Sequence, residues 1–117
     1  MDSLELAKIA AKALDDKKGR DIVVLDIRSV SVVADYFIIA SGDNERQLQA
    51  LADAVDEELF RAGAERRSLE GNRGSTWILM DYNDVIVHIF NKEDRLFYDL
   101  ERIWRDGKRV SNEELGL

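Results

Sequence analysis

The chain has 117 residues, 17 of them basic and 24 acidic, for a formal net charge of −7. That length suits one domain able to bury about two-thirds of its unfolded surface. The lack of cysteine excludes disulfides, thiolate nucleophiles and cysteine-ligated zinc, and a lone histidine, His88, rules out a two-histidine metal site.

The opening Met1-Asp2-Ser3-Leu4-Glu5 lacks the basic-then-apolar layout of a secretory signal, so a cytoplasmic location is expected. Asp2-Ser3-Leu4-Glu5 instead has the spacing of a capping box. Leu6, Ile9, Ala10, Ala13 and Leu14 follow at helical intervals, which predicts an amphipathic helix ended by Gly19 in the left-handed conformation. Ile22-Val23-Val24-Leu25-Asp26-Ile27 reads as a first strand and Asp35-Tyr36-Phe37-Ile38-Ile39-Ala40 as a second. Only a short polar link, Arg28 to Ser31, begins the connection, so an antiparallel pair is expected. After the stop at Ser41-Gly42, Asp43 or Asn44 caps a helix running through Leu48, Leu51, Ala52, Val55, Leu59 and Ala62 to Gly63. Its outer face sets Glu45, Asp53, Asp56, Glu57 and Glu58 against Arg46 and Arg61. Arg66 to Glu70 is a candidate short strand, followed by the loop Gly71-Asn72-Arg73-Gly74-Ser75.

Trp77-Ile78-Leu79-Met80 and Val85-Ile86-Val87-His88-Ile89-Phe90 read as the two strands of a central hairpin. Neither alternates cleanly, so both faces should be covered. Asn83 tolerates positive φ in a tight turn, which would put Tyr82 at an exposed tip between Asp81 and Asp84. Asn91 and Asp94 repeat the capping-box spacing for a last helix with Phe97, Leu100 and Trp104 on one stripe. Residues 108–117 show little periodicity and should be ordered by a partner or not at all. The element order predicts an α/β fold with one mixed, four- to five-stranded sheet flanked by helices, residues 1–105 forming a single domain and 106–117 a C-terminal tail.

Little here points to catalysis. Ser41-Gly42-Asp43 sits where a strand turns into a helix, a place that can hold an anion, yet it lacks the glycines and lysine of a phosphate loop. Asp81 and Asp84 would suit a metal pair only beside a phosphate cradle, which is missing. His88, on the strand face of Ile86 and Phe90, reads as a hydrogen-bonded core histidine, and no nucleophile is evident for a triad. Trp77 admits both a core and an interface reading. No apolar run approaches a membrane span, and the acidic surplus opposes direct contact with nucleic-acid phosphates. The same surplus either draws the chain towards a basic protein or simply keeps it soluble.

Across roughly residues 4 to 105 the chain resembles the ribosomal silencing factor (RsfS, or Iojap-like) family. The resemblance rests on Asp35-Tyr36-Phe37-Ile38-Ile39-Ala40-Ser41-Gly42, Arg46-Gln47, Glu70-Gly71, Trp77 with Asp81, Asp84-Val85-Ile86-Val87-His88 and Phe90. Arg95, Phe97-Tyr98, Leu100-Glu101 and Trp104 complete the series in the same order. Two departures are Asn83, where the family usually has glycine, and Arg28-Ser29-Val30 in place of a glycine-containing link. The resemblance implies a nucleotidyltransferase-like fold without the catalytic set, and no cofactor. It also implies binding to large-subunit ribosomal protein fourteen, obstruction of subunit joining, lowered translation when nutrients are scarce, and a homodimer when free. The contact surface it implies comprises Trp77, Asp81 and Tyr82, with Asp84, Glu70 and Gly71 close by. The competing readings are a degenerate nucleotidyltransferase using Ser41, Asp43 and one of the paired aspartates, and a dimeric adaptor with another client.

Overall fold

Capping decides where the first helix begins. The computed structural model describes residues 2–71, 77–91 and 107–117. In it α1 spans Ser3–Asp16, and the Asp2 carboxylate accepts a hydrogen bond from the Glu5 amide. That amide has no partner inside the helix, so the cap satisfies an otherwise orphaned donor. The left-handed residue that ends the helix is Lys18 (φ 64°), one place before the expected Gly19. Gly19 is needed for closeness instead: a Cβ there would lie 3.0 Å from the Leu14 carbonyl oxygen and 3.2 Å from Leu51.

Strand β1 (Arg20–Asp26) pairs antiparallel with β2 (Tyr36–Gly42), as expected, with an irregularity between Arg20 and Val23 where Asp21 takes φ 51°. Helix α2 (Glu45–Arg61) follows, capped by the Asn44 side chain on the Gln47 amide. Then come β3 (Ser68–Glu70), β4 (Trp77–Asp81) and β5 (Val85–Asn91). Last are β6 (Lys108–Val110) and a short helix, α3 (Asn112–Leu115). Among the described residues the sheet has six strands in the order β3-β4-β5-β2-β1-β6, and of their pairings only β2 with β5 is parallel. These two central strands are buried almost throughout, as their unbroken apolar runs require.

The strand period of two sorts the core into two layers. On one face α1 and α2 cover Val24, Tyr36, Ile38, Ala40, Ile78, Met80, Val85, Val87 and Ile89. On the other, Val23, Leu25, Ile27, Phe37, Ile39, Ile86 and Phe90 cluster with half-buried Trp77 and Leu79.

Three expectations need correction. The last ten residues do not await a partner: β6 pairs antiparallel with β1, and Val110 and Leu115 are buried in the layer under α1. Each of these two short elements contributes one apolar side chain, too few to show a period in the sequence. That edge strand also raises the sheet above the four or five strands expected. Strand β4 is not buried throughout, as a strand covered on both faces would be: Ile78 and Met80 are buried, whereas Trp77, Leu79 and Asp81 are half-buried. Asn91 ends β5; the predicted helix beyond it, with Asp94, Phe97, Leu100 and Trp104, lies outside the described residues, as do residues 72–76 of the glycine-rich loop.

Candidate interaction surface

The pairing register decides which of the candidate residues can act together. Trp77 pairs with Phe90, Leu79 with His88 and Asp81 with Ile86, so these six side chains share the sheet face turned away from α1 and α2. On the outer side Glu70 pairs with Leu79 and Ser68 with Asp81, continuing that face to the sheet edge. Trp77, Asp81 and exposed Glu70 therefore form one rim around Leu79.

Trp77 packs against two rings that also lie against each other. Its ring stacks on Phe90 at 5.3 Å between centroids and on His88 at 5.9 Å. Its indole N–H donates to His88 Nδ1 at 3.3 Å. Nδ1 is therefore the unprotonated nitrogen, and the neutral ring carries its hydrogen on Nε2. Burial lowers the His88 pKa to about 4, which keeps it in that form at neutral pH. Phe37 meets the imidazole edge-on at 4.9 Å. His88 is thus the buried, hydrogen-bonded residue expected, although Nε2 has no partner among the described residues.

Gly71 belongs to this surface through its backbone. It has φ +88°, and any Cβ there would collide with the Trp77 carbonyl oxygen. Glycine alone lets the chain leaving β3 pass so close to the start of β4.

Tyr82 is not at the tip. Only 4% exposed, it lies in the layer beneath the helices, and its hydroxyl donates to Asp56 of α2 at 2.7 Å. Burial first, and then this bond to a carboxylate, raise its pKa well above the ordinary phenol range. Arg66 holds the other Asp56 oxygen at 3.1 Å. The turn itself is Asn83-Asp84: the Tyr82 amide bonds the Val85 carbonyl, and Asn83 adopts φ 72°. The single residue of offset follows from the strand period, because Asp81 faces one side of the sheet and its neighbour must face the other. Asp81 accepts from the Asn83 amide at 2.8 Å, stiffening the turn. Asp84 is exposed, and its carbonyl ties the turn to β2 through the Asp35 and Tyr36 amides at 2.8 and 3.1 Å.

The network of Tyr82, Asp56 and Arg66 was missed in the sequence, where Asp56 counted only as part of an acidic helix face. The available signal was the strand period alone, which sets Tyr82 on the side of Ile78 and Met80, opposite Asp81.

At the far end of β2, two of the amides that could face an anion are taken. The Asp43 amide donates to Gln47 Oε1 at 2.6 Å, and the Gln47 amide donates to Asn44. The Asp43 carboxylate pairs with Arg20 at 3.0 Å. These bonds make the segment a capped strand-to-helix turn. The Asp81 carboxylate is engaged in the turn, Asp84 contributes to it through its backbone, and among the described residues no three histidine or carboxylate side chains converge as a metal site. No described helix is long and apolar enough to cross a membrane.

The family described as "Ribosomal silencing factor during starvation" matches residues 1–116. The ribosomal silencing factor RsfS of Halalkalibacterium halodurans is 39% identical over 113 residues, covering 97% of each chain. That of Bacillus subtilis is 41% identical over 106 residues, covering 91% of this chain and 90% of its own. A crystal structure of a Chromobacterium violaceum protein superposes with a TM-score of 0.87 at 38% identity, over 95% of this chain and 92% of the other.

Proposed function

The chain belongs to the ribosomal silencing factor family, and from that premise we propose that it is a steric, non-catalytic inhibitor of ribosome assembly. It binds the large subunit through ribosomal protein fourteen, obstructs joining of the small subunit and so lowers translation when nutrients are scarce. It acts in the cytoplasm, as a homodimer when free.

The observation that carries this reading is the half-buried Trp77, packed against Phe90 and His88 on a sheet face rimmed by Asp81 and Glu70. A rigid aromatic loses little freedom on binding, and carboxylates around it favour a basic protein surface. Trp77, Asp81 and Glu70 would make the direct contact. Gly71, Tyr82 and Asp84 would act by holding β3, β4 and the turn in place, since Gly71 acts through its backbone, Tyr82 is buried and the Asp84 carbonyl is committed to β2.

Co-sedimentation with purified large and small subunits, alongside a subunit-joining assay, tests the proposal. The protein should pellet with large subunits and slow joining. Trp77→Ala should weaken binding by about 2 kcal/mol, as expected of an interface anchor. A folded Trp77→Ala protein that pellets like the wild type would overturn the assigned surface.

A further inference from the structure

On the other side of β3 the sheet edge opens into a crevice of about 200 Å³ that the surface above does not use. We infer that this crevice receives one long basic side chain, arginine or lysine, from a protein partner seated on the β3 edge. The inference rests on the proposed role as a binding protein and adds the chemistry of a second contact.

The floor is apolar: Ala52 of α2 with Ile78 and Met80 of β4, and Leu69 of β3 at the rim, 43% exposed. Such walls favour the methylene stem of a long side chain. The volume suits one side chain and is far too small for a helix. The helix-side wall carries two carboxylates, Asp53 and Asp56. Asp56 is committed to Tyr82 and Arg66, which fixes it in place. Asp53 accepts only from Gln49, at 2.9 Å on Oδ1, so among the described residues its second oxygen is uncommitted. With Arg66 cancelling Asp56, the charges that the described residues bring to the crevice leave a net negative one at Asp53. Arg66 also shows that a guanidinium fits against this wall, at 3.1 Å from Asp56. An anionic ligand would face both carboxylates, and a purely apolar side chain would make no use of the exposed Asp53 carboxylate at the mouth.

The crevice is continuous with the proposed contact face, because successive residues of a strand point to opposite sides. Glu70 lies beside Leu79 on the Trp77 face, and Leu69 lies beside Met80 on the crevice side. One partner straddling three-residue β3 would reach both.

The test follows the Ile78, Met80 and Leu69 methyl resonances of the full-length protein during titration with N-acetyl-arginine amide, with the leucine and glutamate analogues in parallel. Saturable shifts with the arginine analogue, at least several-fold weaker with the other two and reduced several-fold in Asp53→Asn, are expected. No shift, equal shifts with all three, or stronger shifts with leucine would overturn the inference. Co-sedimentation then separates it from the wider proposal. Asp53→Asn, an exposed and structurally mild change, and Ala52→Leu, which fills the crevice, should each weaken large-subunit binding about fivefold. Wild-type protein that fails to bind large subunits would sink the ribosomal role while the titration still decides the crevice. Wild-type binding with both variants unaffected would sink the crevice alone.

Discussion

Acidification should destabilise this protein well before its carboxylates titrate, through His88. The side chain is 5% exposed, and burial holds its pKa at about 4. The unfolded chain takes up a proton near the ordinary imidazole value of about 6.5, whereas the folded one resists until about pH 4. Between those values the unfolded state binds more protons, so stability is level above about pH 6.5 and falls as the pH drops towards 4. At roughly 1.4 kcal/mol per pH unit, the gap corresponds to about 3 kcal/mol, a large share of the stability of a domain this size. Protonation also removes the acceptor for the Trp77 N–H, because Nδ1 becomes a donor. The perturbation is therefore a pH series of urea unfolding curves on the wild type and on His88→Gln, which keeps an acceptor but cannot titrate. The wild type should lose about 3 kcal/mol more than the variant between pH 7 and pH 4. Parallel curves for the two proteins would refute the assignment. The Asp26 carboxylate, held below its ordinary value chiefly by its hydrogen bond from Arg28, contributes only at still lower pH.

Tyr82→Phe removes a hydrogen bond to a carboxylate that Arg66 still holds, and should lower stability by about 1.5 kcal/mol in urea unfolding; a loss under about 0.5 would count against that bond. In the wild type, spectrophotometric titration should find Tyr82 still protonated at pH values where a free phenol has ionised. Gly71→Ala places a methyl group on the Trp77 carbonyl at a φ of +88°, and should cost at least about 2 kcal/mol in thermal unfolding. Deleting residues 108–117 removes the burial of Val110 and Leu115 and uncovers β1, for a loss of about 4 kcal/mol; a truncated protein that unfolds like the full chain would count against this packing.

Much of the architecture was legible because it rests on local physics. The Asp2 and Asn44 caps, the helical stripes and the apolar runs of β2 and β5 are each settled within a few residues of chain. Those signals placed both long helices and the central strands, and the ordered motifs from Asp35 to Trp104 indicated the family. Less of the surface could be read this way. Trp77 and Asp81 share a face, but Tyr82, one residue on, points the other way into α2, and its partner Asp56 is 26 residues distant in the chain. Gly71 looked like a contact and is a clearance for the Trp77 carbonyl.

The sequence by itself determined the two long helices, where they begin and the inner strands, since hydrogen bonds within a turn and the spacing of apolar residues are properties of neighbours. Only the tertiary structure decided which face Trp77 looks out from, what Tyr82 is bonded to, and that the final ten residues complete the sheet. Those outcomes depend on pairings between segments far apart in the chain, where a shift of one residue exchanges the two faces of a strand.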